Sequence, residues 1–165
     1  MSGGAPVDSW IEDKDAFLSD LPLLQDEGYR VTSKASGSYN CIALSVRDHD
    51  RWYWPGEGLA PDGRNSYWPP GCTRDLTVEA FVEMFSGKGF EVCDSDDFEP
   101  GYEKVAIFVC ENGEPAHAAL QRADRNGAWR SKIGFNVDVE HELRSVECDN
   151  FGTVHTIMKR QLHRR

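Results

Sequence analysis

The stretch Ser36-Gly37-Ser38-Tyr39-Asn40-Cys41-Ile42-Ala43-Leu44-Ser45-Val46 carries the reading of the whole chain. Small, turn-forming residues give way at Cys41 to a run that winds as a helix to about Val46 or Arg47. Ser38 and Asn40 are good N-cap types, which places Cys41 in the first helical turn. Free backbone N–H groups and the positive end of the helix dipole favour a thiolate there. A nucleophilic cysteine needs that setting, together with a histidine and a group to orient it. The plainer reading is a buried core cysteine, which is what most cysteines are.

The chain before this stretch reads as a leader (1–28) that contains one short helix. Residues 1–9 read as a disordered leader, and no basic segment followed by an apolar one marks a signal peptide. Trp10, Phe17 and Leu18 fall at helix-like intervals until Pro22 ends the run near Leu21. Tyr29 to Ser33 alternates as a short strand does.

After Cys41, residues 48–72 form a long irregular segment with Trp52-Tyr53-Trp54-Pro55-Gly56 and Tyr67-Trp68-Pro69-Pro70-Gly71. Proline and glycine forbid regular structure there. Its aromatic residues either wedge the loop onto the core or wall a substrate cleft, with Trp52, Trp54 and Trp68 the candidates. Val78, Phe81, Val82 and Phe85 fall at i, i+3, i+4 and i+7 behind a Thr77 cap, an amphipathic helix that Gly87 and Gly89 terminate. Phe90 to Cys93 is a short strand, and Asp94 to Gly101 an acidic turn without calcium-loop spacing.

A β-meander follows. Lys104 to Cys110 is a nearly unbroken apolar run, hence a strand buried on both faces. Asn112-Gly113 turns it into a strand over Ala116 to Gln121. Asn126-Gly127 leads to a third strand over Ala128 to Ile133, and a last one closes the chain over Phe151 to Met158. Alternation puts His117, Ala119 and Gln121 on one face of their strand. Alanines beside His117 leave room for a helix bearing Cys41, so His117 is the candidate general base and acid. The orienting group depends on turn length. A two-residue turn brings Lys132 onto the histidine's face, and lysine cannot accept the imidazole N–H. A loop one residue longer flips the parity and brings Ser131 there. Ser131 is therefore the first choice, with Asp138 and Glu140 as alternatives. His49, His141, His155 and His163 form no metal-binding spacing, and no phosphate-cradling or dinucleotide glycine motif occurs.

Composition bounds the remainder. The 165 residues, 39% apolar with five tryptophans, suit a folded globule. A formal charge of −10 argues against generic binding to nucleic acid, and no apolar run is long enough to span a membrane. Five cysteines without a CxxC pair read as reduced thiols in a cytoplasm, not as a zinc site. Delivery out of the cell as an effector stays compatible with these facts.

The order of elements, a cysteine at a helix N-terminus followed by a meander with a histidine opening a strand, resembles the papain-like cysteine hydrolases. The NlpC/P60 and CHAP relatives resemble it more closely. The residues that carry the likeness are Asn40-Cys41 within Tyr39-Asn40-Cys41-Ile42-Ala43, and His117-Ala118-Ala119. The wider set YNCIA, RWYWPG, YWPP, HAA and SKIG is similar to a little-characterised bacterial family from about Tyr29 onward. Two departures stand out: Ser131-Lys132 at the third polar position, and Ile42-Ala43 where NlpC/P60 proteins have Ser-Gly.

The expectation is one papain-like α+β domain over 29–165, with the cysteine helix packed on a small antiparallel sheet. The resemblance implies a cysteine-dependent hydrolase or acyltransferase acting on a peptide-like or amide substrate, without a cofactor. Cys41, His117 and Ser131 would be catalytic, with Tyr39, Asn40, Trp52, Trp54, Trp68 and Lys132 binding substrate. The rival expectation is a catalytically inactive acidic module that binds a protein partner. A sulfur within about 4 Å of an imidazole nitrogen in an open cleft separates the first from the second.

Overall fold

The computed structural model describes residues 9–56, 58–60, 63–123 and 127–162. Its elements are α1 (Lys14–Asp20), α2 (Pro22–Glu27), β1 (Arg30–Ser33), α3 (Cys41–Ser45), α4 (Val78–Gly87) and β2 (Glu91–Cys93). They continue with β3 (Tyr102–Val109), β4 (Pro115–Gln121), β5 (Trp129–Lys132), β6 (Asp138–His141), a 3-10 turn (Leu143–Val146) and β7 (Thr153–Gln161). All seven strands join one antiparallel sheet in the order β1-β6-β5-β4-β3-β7-β2.

This architecture corrects the papain-like α+β expectation. The sheet is the organising element, and the helices are short additions to a β-rich fold. The cysteine helix α3 has only five residues. It ends because Val46 leaves helical geometry and Arg47 adopts a left-handed φ of 63°. The Asp48 amide then closes back on the Ala43 carbonyl at 2.9 Å.

The meander forms because its strands are apolar on both sides. Val105, Ala106, Ile107 and Phe108 of β3 are all fully buried. Val105 and Ile107 face a layer made by α3, α4 and the aromatic loop, together with Ala118 and Leu120 of β4. Ala106 and Phe108 face the opposite layer, with Ala119 of β4, Trp129 and Val139. Phe17, Leu21 and Leu24, from the segment read as a leader, are buried in that second layer. Each such side chain contributes about 1.5–3 kcal/mol when fully buried, so the N-terminal helices are a working part of the core.

The hairpin after β4 is longer than a two-residue turn. Leu120 pairs with Arg130 and Gln121 with Trp129. Asn126 lies outside the described residues; Gly127 has φ +94°, a turn conformation. Charge buried inside the sheet is handled by pairing. Glu103, fully buried, takes hydrogen bonds from Arg47 at 2.6 Å and from Arg160. Burial raises its pKa, but the two guanidinium groups outweigh that and hold it below the ordinary carboxylate range. Among the described residues no helix is long and apolar enough to cross a membrane.

Candidate functional site

Cys41 occupies the first turn of α3 as the spacing predicts. Asn40 caps it, accepting from the Ala43 amide at 3.1 Å. The same Oδ1 accepts from the Tyr53 amide at 3.1 Å, and Nδ2 donates to the Tyr53 carbonyl at 2.6 Å. Both polar atoms of Asn40, expected to bind substrate, are thus engaged in pinning the aromatic loop to the helix start. The Cys41 thiol packs into the first core layer with 9% exposure. Burial pushes it up to about 11, and the Ala118 and Ile42 backbones and Lys132 only partly oppose that. A five-residue helix has too few aligned peptides to reverse the desolvation.

His117 points the other way. It pairs directly with Phe108 across the strands, and Phe108 belongs to the second layer. The two rings meet edge-on at 5.1 Å, and Phe151 stacks flat on the imidazole at 4.0 Å and 7°. Ala118, the next residue, faces Cys41. The sheet therefore lies between the sulfur and the imidazole, and the thiol–imidazole pair is not assembled.

The longer hairpin does bring Ser131 to His117. Ser131 Oγ lies 2.9 Å from His117 Nε2 and 2.7 Å from His141 Nε2. His141 Nδ1 sits 2.5 Å from the Glu142 carbonyl, which can only accept. That contact fixes every proton in the chain. His141 Nδ1 carries the hydrogen, so its Nε2 accepts from the Ser131 hydroxyl. Ser131 Oγ in turn accepts from His117 Nε2–H, and His117 Nδ1 is left as a bare acceptor without a partner. Both rings stay neutral. His117 is held well below its ordinary value by burial and by His141, and burial pushes His141 down to about 4. His141 is the member that spacing did not suggest. Its signal was the alternation of Asp138-Val139-Glu140-His141, which puts His141 and Val139 on Ser131's side.

The other expected residues lie on the cysteine side. Lys132 pairs with Asp138 across the strands, so Asp138 and Glu140 do not meet the imidazole. Lys132 Nζ donates to the Ser36 carbonyl at 2.6 Å and the Gly134 carbonyl at 2.5 Å, and stands over the Tyr39 ring. Burial pushes its pKa down to about 8. Tyr39 donates to Asp138 Oδ1 at 3.3 Å, and its hydroxyl is pushed up to about 12, by burial first and then by Asp138. These groups tie the loop before α3 to the sheet. Trp54 and Trp68 pack on Phe81 of α4, and Trp68 Nε1 donates to the Thr73 carbonyl at 2.9 Å. Their loop is wedged onto the core, with Trp52 half-buried beside it. Among the described residues no three His, Cys, Asp or Glu side chains are grouped to hold a metal.

An apolar concavity lies on the histidine side of the sheet. It measures about 530 Å³, between α1, the β5–β6 turn and the loop before β7. Phe17, Leu21, Ile133 and Phe151 wall it, and Phe135, 61% exposed, stands in its lining. Glu12, Asp13 and Asp20 add carboxylates to that lining. Asn136 fixes the geometry by bonding both backbone groups of Glu12, accepting from its N–H at 3.1 Å and donating to its carbonyl at 2.9 Å.

Fold and site together define a β-rich domain with two core layers, a sealed polar chain and an acidic-lined apolar cleft. Residues 30–159 match the family described as a domain of unknown function, DUF7689, and the chain belongs to that family. No curated protein and no solved structure matches it.

Proposed function

We propose that this domain is a non-catalytic binding module for a basic polypeptide segment, which it holds by an apolar side chain inserted in the cleft between α1 and the β5–β6 turn. The cleft carries the reading. Its 530 Å³ is within the range of sites that take a ligand group, and its carboxylates from Glu12, Asp13 and Asp20 complement a basic partner. The formal charge of −10 works in the same direction over a longer range. Cys41 supports it by default: the sulfur is buried, strongly protonated and separated from His117 by the sheet. Phe135 stands exposed where an anchoring side chain would enter.

The test is calorimetric titration with a short synthetic peptide of lysine and leucine, and with the same peptide carrying glutamate for lysine. Binding of the basic peptide alone, weakened by salt, is expected. Ala16→Trp, which fills the cleft from the exposed side of α1, should abolish it, and Asp20→Lys should weaken it about tenfold. Equal binding of both peptides, or binding that Ala16→Trp leaves intact, overturns the proposal.

A further inference from the structure

The last strand runs out into Lys159-Arg160-Gln161-Leu162-His163-Arg164-Arg165, the densest basic run in the sequence and one without an acidic residue. Two of its charges are already committed within the domain. Lys159 pairs with Glu99 at 3.3 Å, and Arg160 with the buried Glu103. Leu162 follows β7, half-buried, with its N–H donating to the Gly101 carbonyl at 2.8 Å. Residues 163–165 lie outside the described residues.

The cleft stands at the other end of the sheet. Asn150 and Phe151 of its lining precede β7, and residues 133–136 join β5 to β6 at that same end. β7 pairs along the whole of β3, from Thr153 opposite Val109 to Gln161 opposite Tyr102. Its nine residues span roughly 27 Å. The three residues after Leu162 reach at most about 11 Å when fully extended. Arg164 and Arg165 thus fall short of the cleft of their own chain.

The basic run and the cleft complement each other chemically. The cleft presents apolar Phe17, Leu21 and Ile133 beside the exposed carboxylates of Glu12, Asp13 and Asp20. The run presents one leucine flanked by basic residues. Residues 1–8, also outside the described residues, precede Glu12 in sequence but carry Asp8 and no lysine or arginine. Charge therefore disfavours them as the occupant.

We infer that the cleft of one copy takes the 162–165 segment of a second copy of this chain. Leu162 enters between α1 and the β5–β6 turn, and Arg164 and Arg165 meet Glu12, Asp13 and Asp20. This names the partner of the proposed site and rests on that reading. Each copy offers one segment and one cleft at opposite ends of its sheet, so the surface that inserts differs from the surface that receives.

The test is sedimentation velocity of the full chain over a range of concentrations. Reversible self-association is expected. Arg164→Glu combined with Arg165→Glu should weaken it at least about tenfold, and so should Asp20→Lys. The first variant makes the chain more negative and the second less so. A loss in both therefore reports the local contact and not the general repulsion between copies. Mixing the two variants should restore a one-to-one complex of parental affinity, because the basic segment of one meets the acidic cleft of the other. That recovery also shows that both variants are folded. A chain that stays monomeric at every concentration, while the lysine–leucine peptide still binds, overturns the inference and leaves the binding reading standing. A peptide that fails to bind as well overturns both. Self-association that neither variant weakens places the contact elsewhere and overturns the inference too.

Discussion

Ser131→Ala is the sharpest probe of the sealed chain on the histidine side. Ser131, fully buried, donates to His141 Nε2 and accepts from His117 Nε2–H. Alanine removes both bonds and leaves one orphan donor and one orphan acceptor in a fully buried site beneath the stacked Phe151 ring. An unsatisfied buried polar group costs about 1–3 kcal/mol, so the two together cost about 2–5 kcal/mol. The loss of one small oxygen adds little cavity, so nearly all of that is polar. For a chain of this size each kcal/mol lowers the melting temperature by about 2–4 °C. The variant should therefore melt roughly 5–15 °C below the parent by differential scanning calorimetry.

The proton assignment gives the same experiment a second reading. Long-range proton–nitrogen NMR should find His141 protonated at Nδ1 and His117 at Nε2 in the parent, and both rings neutral at pH 7. A melting temperature that Ser131→Ala leaves within a degree, or two imidazoles in the same tautomer, would refute the chain of donors deduced from the Glu142 carbonyl.

Four further outcomes are expected. Both histidines have folded pKa values below the unfolded value near 6.5, so the unfolded chain binds more protons in acid. Stability is full above pH 6.5 and falls by up to about 1.4 kcal/mol per pH unit per histidine toward pH 4, a slope that urea titrations at several pH values should show halved in His141→Phe. Cys41 should alkylate slowly, with a midpoint above pH 9 that His117→Ala does not move; a midpoint near neutrality would restore the thiol as a reactive centre. Gly152→Ala combines a left-handed φ of +77° with a Cβ driven into the Val109 carbonyl, and should cost about 2–5 kcal/mol in denaturant unfolding. Asn40→Ala loses the α3 cap and both bonds to Tyr53, and should cost about 2–4 kcal/mol while exposing the Trp54 and Trp68 fluorescence to quenching.

Much of the meander was legible because its signals are local. The apolar run of β3, the Asn112-Gly113 turn and the i, i+3, i+4, i+7 face of α4 each specify one element without reference to the rest. The Asn40 cap was legible for the same reason. What stayed hidden was relational. Nothing between Asp48 and Cys72 says that Asn40 holds Tyr53. Nor does the helical spacing near the N-terminus say which layer that helix joins; Phe17, Leu21 and Leu24 declare burial but not against what. The count of strands in the sheet depends on β1 and β2, which have four and three residues and little pattern to read.

The pairing of Cys41 with His117 failed on a single parity, and the reason is physical. Small residues in β4 do admit a close helix, as the alanines suggested. The alanine that admits it is Ala118, because the backbone of a five-residue helix can approach the sheet only over a side chain with no bulk. In a strand, whatever is adjacent to that alanine must face the other way. His117 is adjacent. The feature that draws α3 onto the sheet thus turns the imidazole away from its cysteine, into a layer where Phe108, Phe151 and Ser131 enclose it on three sides. Strand alternation alone would have forced a choice between Ala118 and His117 beneath the helix, and helix packing distance decides it for Ala118.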